Sequence, residues 1–249
     1  MLSAYRRSHR RLLLLDYDGT LVPFAPRPEL AVPGAGVIEL LRDLSSIPGN
    51  DVVVISGRTR QPLQQWFGAL DVTLVAEHGA WLRRRGNGRW MLLGSMRTRW
   101  KPVVTPVLEG FVDRVPGSHI EEKEFSLAWH YRNADPAKAA PQVRELLKAL
   151  EDISARAGID VIRGHKVVEV KDPGISKGRA ALHLLRGRKY GFVLAIGDDL
   201  TDEAMFCALP HRAYSIRVGR ARSHARFALP SQKQVFPLLR MLDAAGCRT

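Results

Sequence analysis

Two carboxylates one residue apart, Asp16 and Asp18, close the segment RLLLLDYDGT and are followed by Gly19 and Thr20. Paired acids at the mouth of a buried strand suit the chemistry of phosphoryl transfer. Three more acids, Asp198, Asp199 and Asp202, follow a second apolar run in FVLAIGDDLTDEAMF. Five carboxylates gathered in one crevice would repel one another, each like pair at about 4 Å costing roughly 4 kcal/mol at a surface-like dielectric. A divalent cation relieves that repulsion, and an oxygen donor set with few histidines points to Mg2+ with several waters retained. Lys177, in GISKGRAALHLL, opens a helix after a turn, while Ser56 and Gly57 end DVVVISG. An ammonium, a hydroxyl and free backbone N–H groups suit a phosphate. Each feature has a plainer reading as well. Asp-Gly and Ser-Gly mark ordinary turns, Asp202 could cap its helix, and a lysine at a helix start is commonly a surface residue.

The elements that must position these groups are legible around them. Four leucines running into Asp16 read as a central strand of a parallel sheet, and the carboxyl ends of such strands are where open α/β sheets bind ligands. Val52 to Ile55, Leu74 to Ala76, Phe192 to Ile196 and Ala213 to Val218 are similar runs. Between them lie helically spaced apolar residues, such as Leu40, Leu41 and Leu44, or Ala181, Leu184 and Leu185. The alternation predicts an α/β fold with a doubly wound parallel-sheet, Rossmann-like core. The middle reads differently: two helical stripes, Val103 to Val115 and Val143 to Ile153, flank a strand in which Phe125, Leu127, Trp129 and Tyr131 alternate with polar residues. A second strand is expected over His165 to Val170. This is an inserted α+β cap domain, expected over residues 99–173, with the core formed by 1–98 and 174–249. Burying the apolar set turns Glu122, Glu124, Ser126, His130, Arg132, His165 and Glu169 to the opposite face, which suits a polyhydroxylated ligand or, more plainly, solvent.

Composition narrows the partners. With 38 Lys and Arg against 25 acids, the net charge of +13 favours an anionic ligand. The arginines are scattered without interleaved aromatics, so nucleic acid is not expected and a phosphorylated small molecule is. Two cysteines, Cys207 and Cys247, are too few for a disulfide framework and suit a reducing cytoplasm. No membrane span or signal peptide is expected, the N-terminal leucine run being stopped by Asp16.

DYDGT, ISGR, the lysine of ISKGRA and GDDLTDE, in that order, resemble the four motifs of haloacid dehalogenase-like phosphohydrolases, and the insertion resembles that superfamily's C2 cap. More narrowly, LLLLDYDGTLVPF, VAEHGAWLR, FSLAWHYR and KVVEVKDPGISKGRA resemble the trehalose-6-phosphate phosphatase family over nearly the whole chain. The resemblance implies Asp16 as nucleophile through an aspartyl-phosphate and Asp18 as general acid and base. It implies Mg2+ on Asp16, the Asp18 carbonyl and Asp198, with Asp199 or Asp202 acting directly or through water. Thr20, Ser56, Gly57 and Lys177 would hold the phosphoryl oxygens, and Arg58, Glu77 and His78 would line or support the site. Glu122, Lys123, His130, Arg132, His165 and Glu169 would hold the sugar, although the family usually has Lys or Arg where His165 stands, and Lys166 is expected on the other strand face. A trehalose-6-phosphate synthase domain or partner is implied too. The motifs leave open another sugar phosphatase of the same cap class, acting on sucrose phosphate, glucosylglycerol phosphate or a mannosyl phosphate ester. A phosphotransferase or mutase and a non-catalytic polyanion-binding module are the remaining alternatives.

Overall fold

The computed structural model describes residues 1–94, 97–164 and 166–247. The chain forms two compact units, Met1–Leu93 with Ser176–Thr249, and Gly94–Ile175. The first unit opens with helix α1 (Leu2–Arg7), strand β1 (Arg11–Asp16), helix α2 (Ala35–Ser46), strand β2 (Asn50–Ile55), helix α3 (Arg60–Phe67) and strands β3 (Thr73–Ala76), β4 (Trp81–Arg83) and β5 (Trp90–Leu92).

The second unit contains α4 (Lys101–Arg114), β6 (His119–Glu122), β7 (Ser126–His130), α5 (Pro136–Ala157), β8 (Asp160–Gly164) and β9 (Val167–Lys171). Its four strands form an antiparallel sheet in the order β6-β7-β9-β8. Val104, Leu108 and Phe111 of α4 and Val143, Leu146 and Leu150 of α5 cover one face, packing on Leu127, Trp129, Val168 and Val170. Pro102 sits in the first turn of α4, where its missing N–H costs nothing, and Asp135 caps α5 by accepting from Ala137 N at 2.8 Å. The ends of this unit extend past the expected 99–173, because Arg97 donates from both its backbone N and its Nε to Asp172, and Lys171 Nζ to the Ile175 carbonyl. The strand expected from His165 begins at Val167. Lys166 occupies the turn before it with φ 64° instead of a strand face.

The chain then completes the first unit with α6 (Lys177–Leu185), β10 (Phe192–Gly197), α7 (Leu200–Ala208), β11 (Tyr214–Val218), β12 (Phe227–Leu229) and α8 (Val235–Gly246). Its eight strands lie in the order β12-β11-β10-β1-β2-β3-β4-β5, parallel except for the β3-β4-β5 edge. Leu13 and Leu15 of β1 join one core with α2, α3 and α8, while Leu12 and Leu14 join a second with α6 and α7. Burial on both faces is why this strand is leucine throughout, each side chain contributing about 2 kcal/mol. Because β1 pairs with β10 on one side and β2 on the other, the carboxyl end of β1 lies at the point where strand order reverses. Open α/β sheets form their binding crevice there.

Candidate active site

Asp16 is the last residue of β1 and is almost fully buried, with the carboxyl end of β10 beside it. The chain turns at once: Leu21 N and Val22 N both donate to the Tyr17 carbonyl, at 2.9 and 3.0 Å. Gly19 has φ +79°, and a Cβ there would stand 2.3 Å from Asp198 Oδ2, so both conformation and space require glycine. The same close approach brings the first acidic segment against the second. Asp16, Asp198 and Asp202 each present an oxygen, all within 4.8 Å of one another.

Lys177, the first residue of α6, is buried with its Nζ 2.6 Å from Asp16 Oδ1 and 2.7 Å from Asp202 Oδ1. Gly178 lets α6 close on α7, since a Cβ would meet the Ala204 carbonyl at 2.3 Å. Burial opposes the ammonium, but the two carboxylates outweigh it and hold Lys177 above its usual range. Asp202 is fully engaged: its Oδ2 accepts from Asp198 N and Asp199 N, both at 3.0 Å, and it completes a capping box with Asp199 at the start of α7. Asp199 accepts from Leu200 N at 2.7 Å and lies outside the three-acid group. Thr20 is buried, with its hydroxyl 3.5 Å from Asp198 Oδ1.

One lysine cannot balance three acids. Burial, the Asp202 and Asp198 charges and an incomplete offset from Lys177 push Asp16 well above the ordinary carboxylate range, and burial followed by Asp202 pushes Asp198 up to about 7. Asp16 Oδ2 is buried without a hydrogen-bond donor among the described residues. An acceptor left without a donor, amid carboxylates that resist ionising together, fits a hard divalent cation such as Mg2+.

A second grouping surrounds Asp18. Arg58 Nε donates to Asp18 Oδ2 at 2.9 Å and Nη2 to Oδ1 at 2.7 Å. Ser56, fully buried at the end of β2, accepts from Arg58 N at 3.1 Å. Glu77 and His78 follow β3 with φ 47° and 54°, left-handed conformations uncommon for such residues. They are held there as Glu77 N donates to the Arg58 carbonyl at 2.8 Å and His78 N to the Ser56 carbonyl at 2.9 Å. A Cβ on Gly57 would meet the His78 ring at 2.3 Å, so the Ser-Gly-Arg and Glu-His-Gly turns interlock.

A third grouping lies on the sheet face of the second unit opposite its helices. Glu169 Oε1 accepts from Ser126 Oγ at 2.8 Å and lies 3.4 Å from Lys123 Nζ, and Glu121 Oε2 is 2.8 Å from His130 Nε2 and 3.9 Å from Lys123 Nζ. Glu121 was absent from the sequence-derived set. Register explains the difference: Glu121 pairs with Ala128 on the open face, while Glu122 pairs with Leu127 on the helix face and forms an ion pair with Lys101 at 2.9 Å. The alternation within HIEE carried this signal once the segment was known to be a strand. Arg132 follows β7, half-exposed, and His165 lies outside the described residues.

An α/β sheet carrying an acid cluster at its switch point, with an α+β insertion, has the fold of haloacid dehalogenase-like hydrolases. One from Bacteroides thetaiotaomicron superposes with a TM-score of 0.64 at 17% identity, covering 93% of this chain and 98% of that one. Residues 14–234 match the trehalose-phosphatase family model, and the chain belongs to that family. It is 45% identical over 240 residues to a bifunctional trehalose-6-phosphate synthase/phosphatase of Thermoproteus tenax, covering 96% of this chain and 33% of the relative. The chain thus spans about a third of the curated relatives it matches. Among solved structures, the C-terminal domain of C. albicans trehalose-6-phosphate phosphatase superposes with a TM-score of 0.91 at 33% identity, covering 98% of this chain and 95% of that one.

Proposed function

We propose that the chain is a Mg2+-dependent phosphatase that hydrolyses trehalose 6-phosphate to trehalose and phosphate through an aspartyl-phosphate. The observation that carries this reading is the state of Asp16: buried, fixed through one oxygen by Lys177, and left without a donor on the other beside Asp198. A carboxylate so held cannot rotate away from a phosphorus presented to it. Asp16, Asp198 and the Asp18 backbone carbonyl would hold Mg2+, with Asp202, whose oxygens are already engaged, steering Lys177 and the Asp198 backbone. When bound, the ion would offset the charge of the acids and the phosphoryl group.

The protein's own groups then divide the work. Asp16 attacks phosphorus as the bond to the sugar oxygen breaks, and Asp18 supplies the proton that oxygen needs. In the second half Asp18 takes a proton from the attacking water, the acyl phosphate is cleaved, and the Asp16 carboxylate returns. Lys177, Ser56, Gly57 and Thr20 hold the phosphoryl oxygens, whose charge is largest in the transition state. Lys123, His130, Arg132 and Glu169, with Glu121, supply donors and acceptors for sugar hydroxyls, and His165 belongs to the set by resemblance; Glu122, on the helix face with Lys101, does not. Among the described residues no helix is long and apolar enough to cross a membrane. Cys207 and Cys247 are free and exposed, which suits the reducing cytoplasm we propose. The bifunctional relatives suggest that a synthase activity, on the same chain or a partner, supplies the substrate.

Phosphate release from trehalose 6-phosphate, with and without EDTA and beside sucrose phosphate and mannose phosphates, tests the reading. EDTA-sensitive preference for trehalose 6-phosphate is expected, and preference for another ester would overturn the substrate assignment.

A further inference from the structure

Arg58 reads from sequence as a residue that lines or supports the site, and its side chain is already committed. Both ends of its fork go to Asp18, at 2.9 and 2.7 Å, and the side chain is only 12% exposed. Its carbon lies 5.1 Å from the Trp66 ring centroid and 5.2 Å from that of Tyr17, and those two rings stack at 5.3 Å. Tyr17 is fixed in turn, its hydroxyl donating to the Ala31 carbonyl at 2.7 Å. The Arg58 backbone is pinned as well, its N–H on Ser56 Oγ and its carbonyl on Glu77 N. A planar cation stacked on aromatics, with a bidentate fork on one carboxylate, has a single orientation to offer, and lysine could not reproduce it.

We infer that Arg58 is a positioning residue for Asp18, fixing the carboxylate that exchanges protons with the leaving sugar oxygen and the attacking water, and is not a phosphate-binding group. The inference rests on the phosphatase reading above. Proton delivery needs one Asp18 oxygen to leave the fork while the other bond keeps the group in place. Once the proton has passed to the sugar oxygen, Asp18 is a carboxylate, which the fork again receives through both oxygens.

The leaving group separates this role from phosphate binding. A sugar alkoxide needs a proton to depart, whereas nitrophenolate leaves without one, so loss of a positioned acid slows the transfer to Asp16 only for the sugar ester, while the later water step, common to both, is slowed alike. Arg58→Lys and Trp66→Leu are to be compared with the parent on trehalose 6-phosphate and p-nitrophenyl phosphate, with circular dichroism as the check on folding. In Arg58→Lys, kcat/KM, which covers the steps through departure of the leaving group, is expected to fall roughly 100-fold further for trehalose 6-phosphate than for the aryl ester, since misplacing a reacting group costs about that factor. Trp66→Leu should show the same bias more weakly. Equal losses of kcat/KM on both esters in both variants would overturn the inference and leave the phosphatase reading intact. Absence of any phosphatase activity in the parent would overturn both. Should Arg58→Lys fail to fold, the bias or its absence in Trp66→Leu decides.

Discussion

The two units each gather acids around a buried lysine, and the outcomes are opposite. In the first, Asp16, Asp198 and Asp202 share Lys177, and burial with mutual repulsion drives Asp16 and Asp198 upward. In the second, Glu121 is also penalised by burial, but the hydrogen bond from His130 and the Lys123 charge outweigh that and hold it below its ordinary value. Residue types are nearly the same; the count of donors is not. Acids in deficit of donors call for an external cation, while acids satisfied by neighbours do not.

The sharpest way to break this contrast is at the two anionic centres. Asp16→Asn is expected to lower turnover by at least about 10⁴-fold, with a metal-free melting midpoint no lower than the parent's because one buried charge is gone. Glu169→Gln should keep kcat within about tenfold and chiefly raise KM for the sugar phosphate, as expected for loss of uniform binding. Next come the lysines. Lys177→Met leaves two buried carboxylates without their counter-ion and should cost about 3–5 kcal/mol in urea unfolding, the range for breaking a buried pair. Lys123→Met should cost less, about 1–3 kcal/mol, since hydrogen bonds from Ser126 and His130 remain.

A cation provides the third comparison. Mg2+ at 100 times its dissociation constant should stabilise the parent by about 2.7 kcal/mol, and Glu169→Gln equally. Asp198→Asn should lose most of that increment, read by melting with and without Mg2+. The smallest effect concerns pH. A carboxyl held low in the folded state, as Glu121 is, stabilises above its unfolded value of about 4.3 and loses that contribution as pH falls through the folded value. Glu121→Gln should therefore lower the neutral plateau slightly while leaving stability below the folded value unchanged, so the acid limb becomes shallower.

How much of this was legible in the sequence follows from the kind of information each part needs. Strands buried on both faces announce themselves, so β1, β2, β3, β10 and β11 and the α/β class could be read from continuous apolar runs. The edge strands β5 and β12 and the neighbouring β4 are three residues each, too short for a pattern, and β6 and β8 are only partly buried, so neither carries strong alternation. That is why Glu121 and Glu122 exchanged faces: in a strand, placement depends on register with a partner, which composition does not encode. In the first unit, Asp16 and Asp198 stand out because acids are costly at the ends of buried strands, and Lys177 because an ammonium opens its helix. Their partition was not visible. Asp202 is committed to Lys177 and Arg58 to Asp18 through contacts between segments distant in sequence, while the Asp199 cap and the bonds from two backbone N–H groups to Asp202 are local and depend on where the helix begins.

Borohydride trapping during turnover tests the central claim most directly, because it reduces an acyl phosphate to the alcohol and so marks the residue that carried phosphorus. With trehalose 6-phosphate and Mg2+, the account predicts homoserine at position 16, and none when EDTA or Asp16→Asn replaces the complete system. Turnover with no reduction at Asp16, or with reduction at another acid, would contradict it.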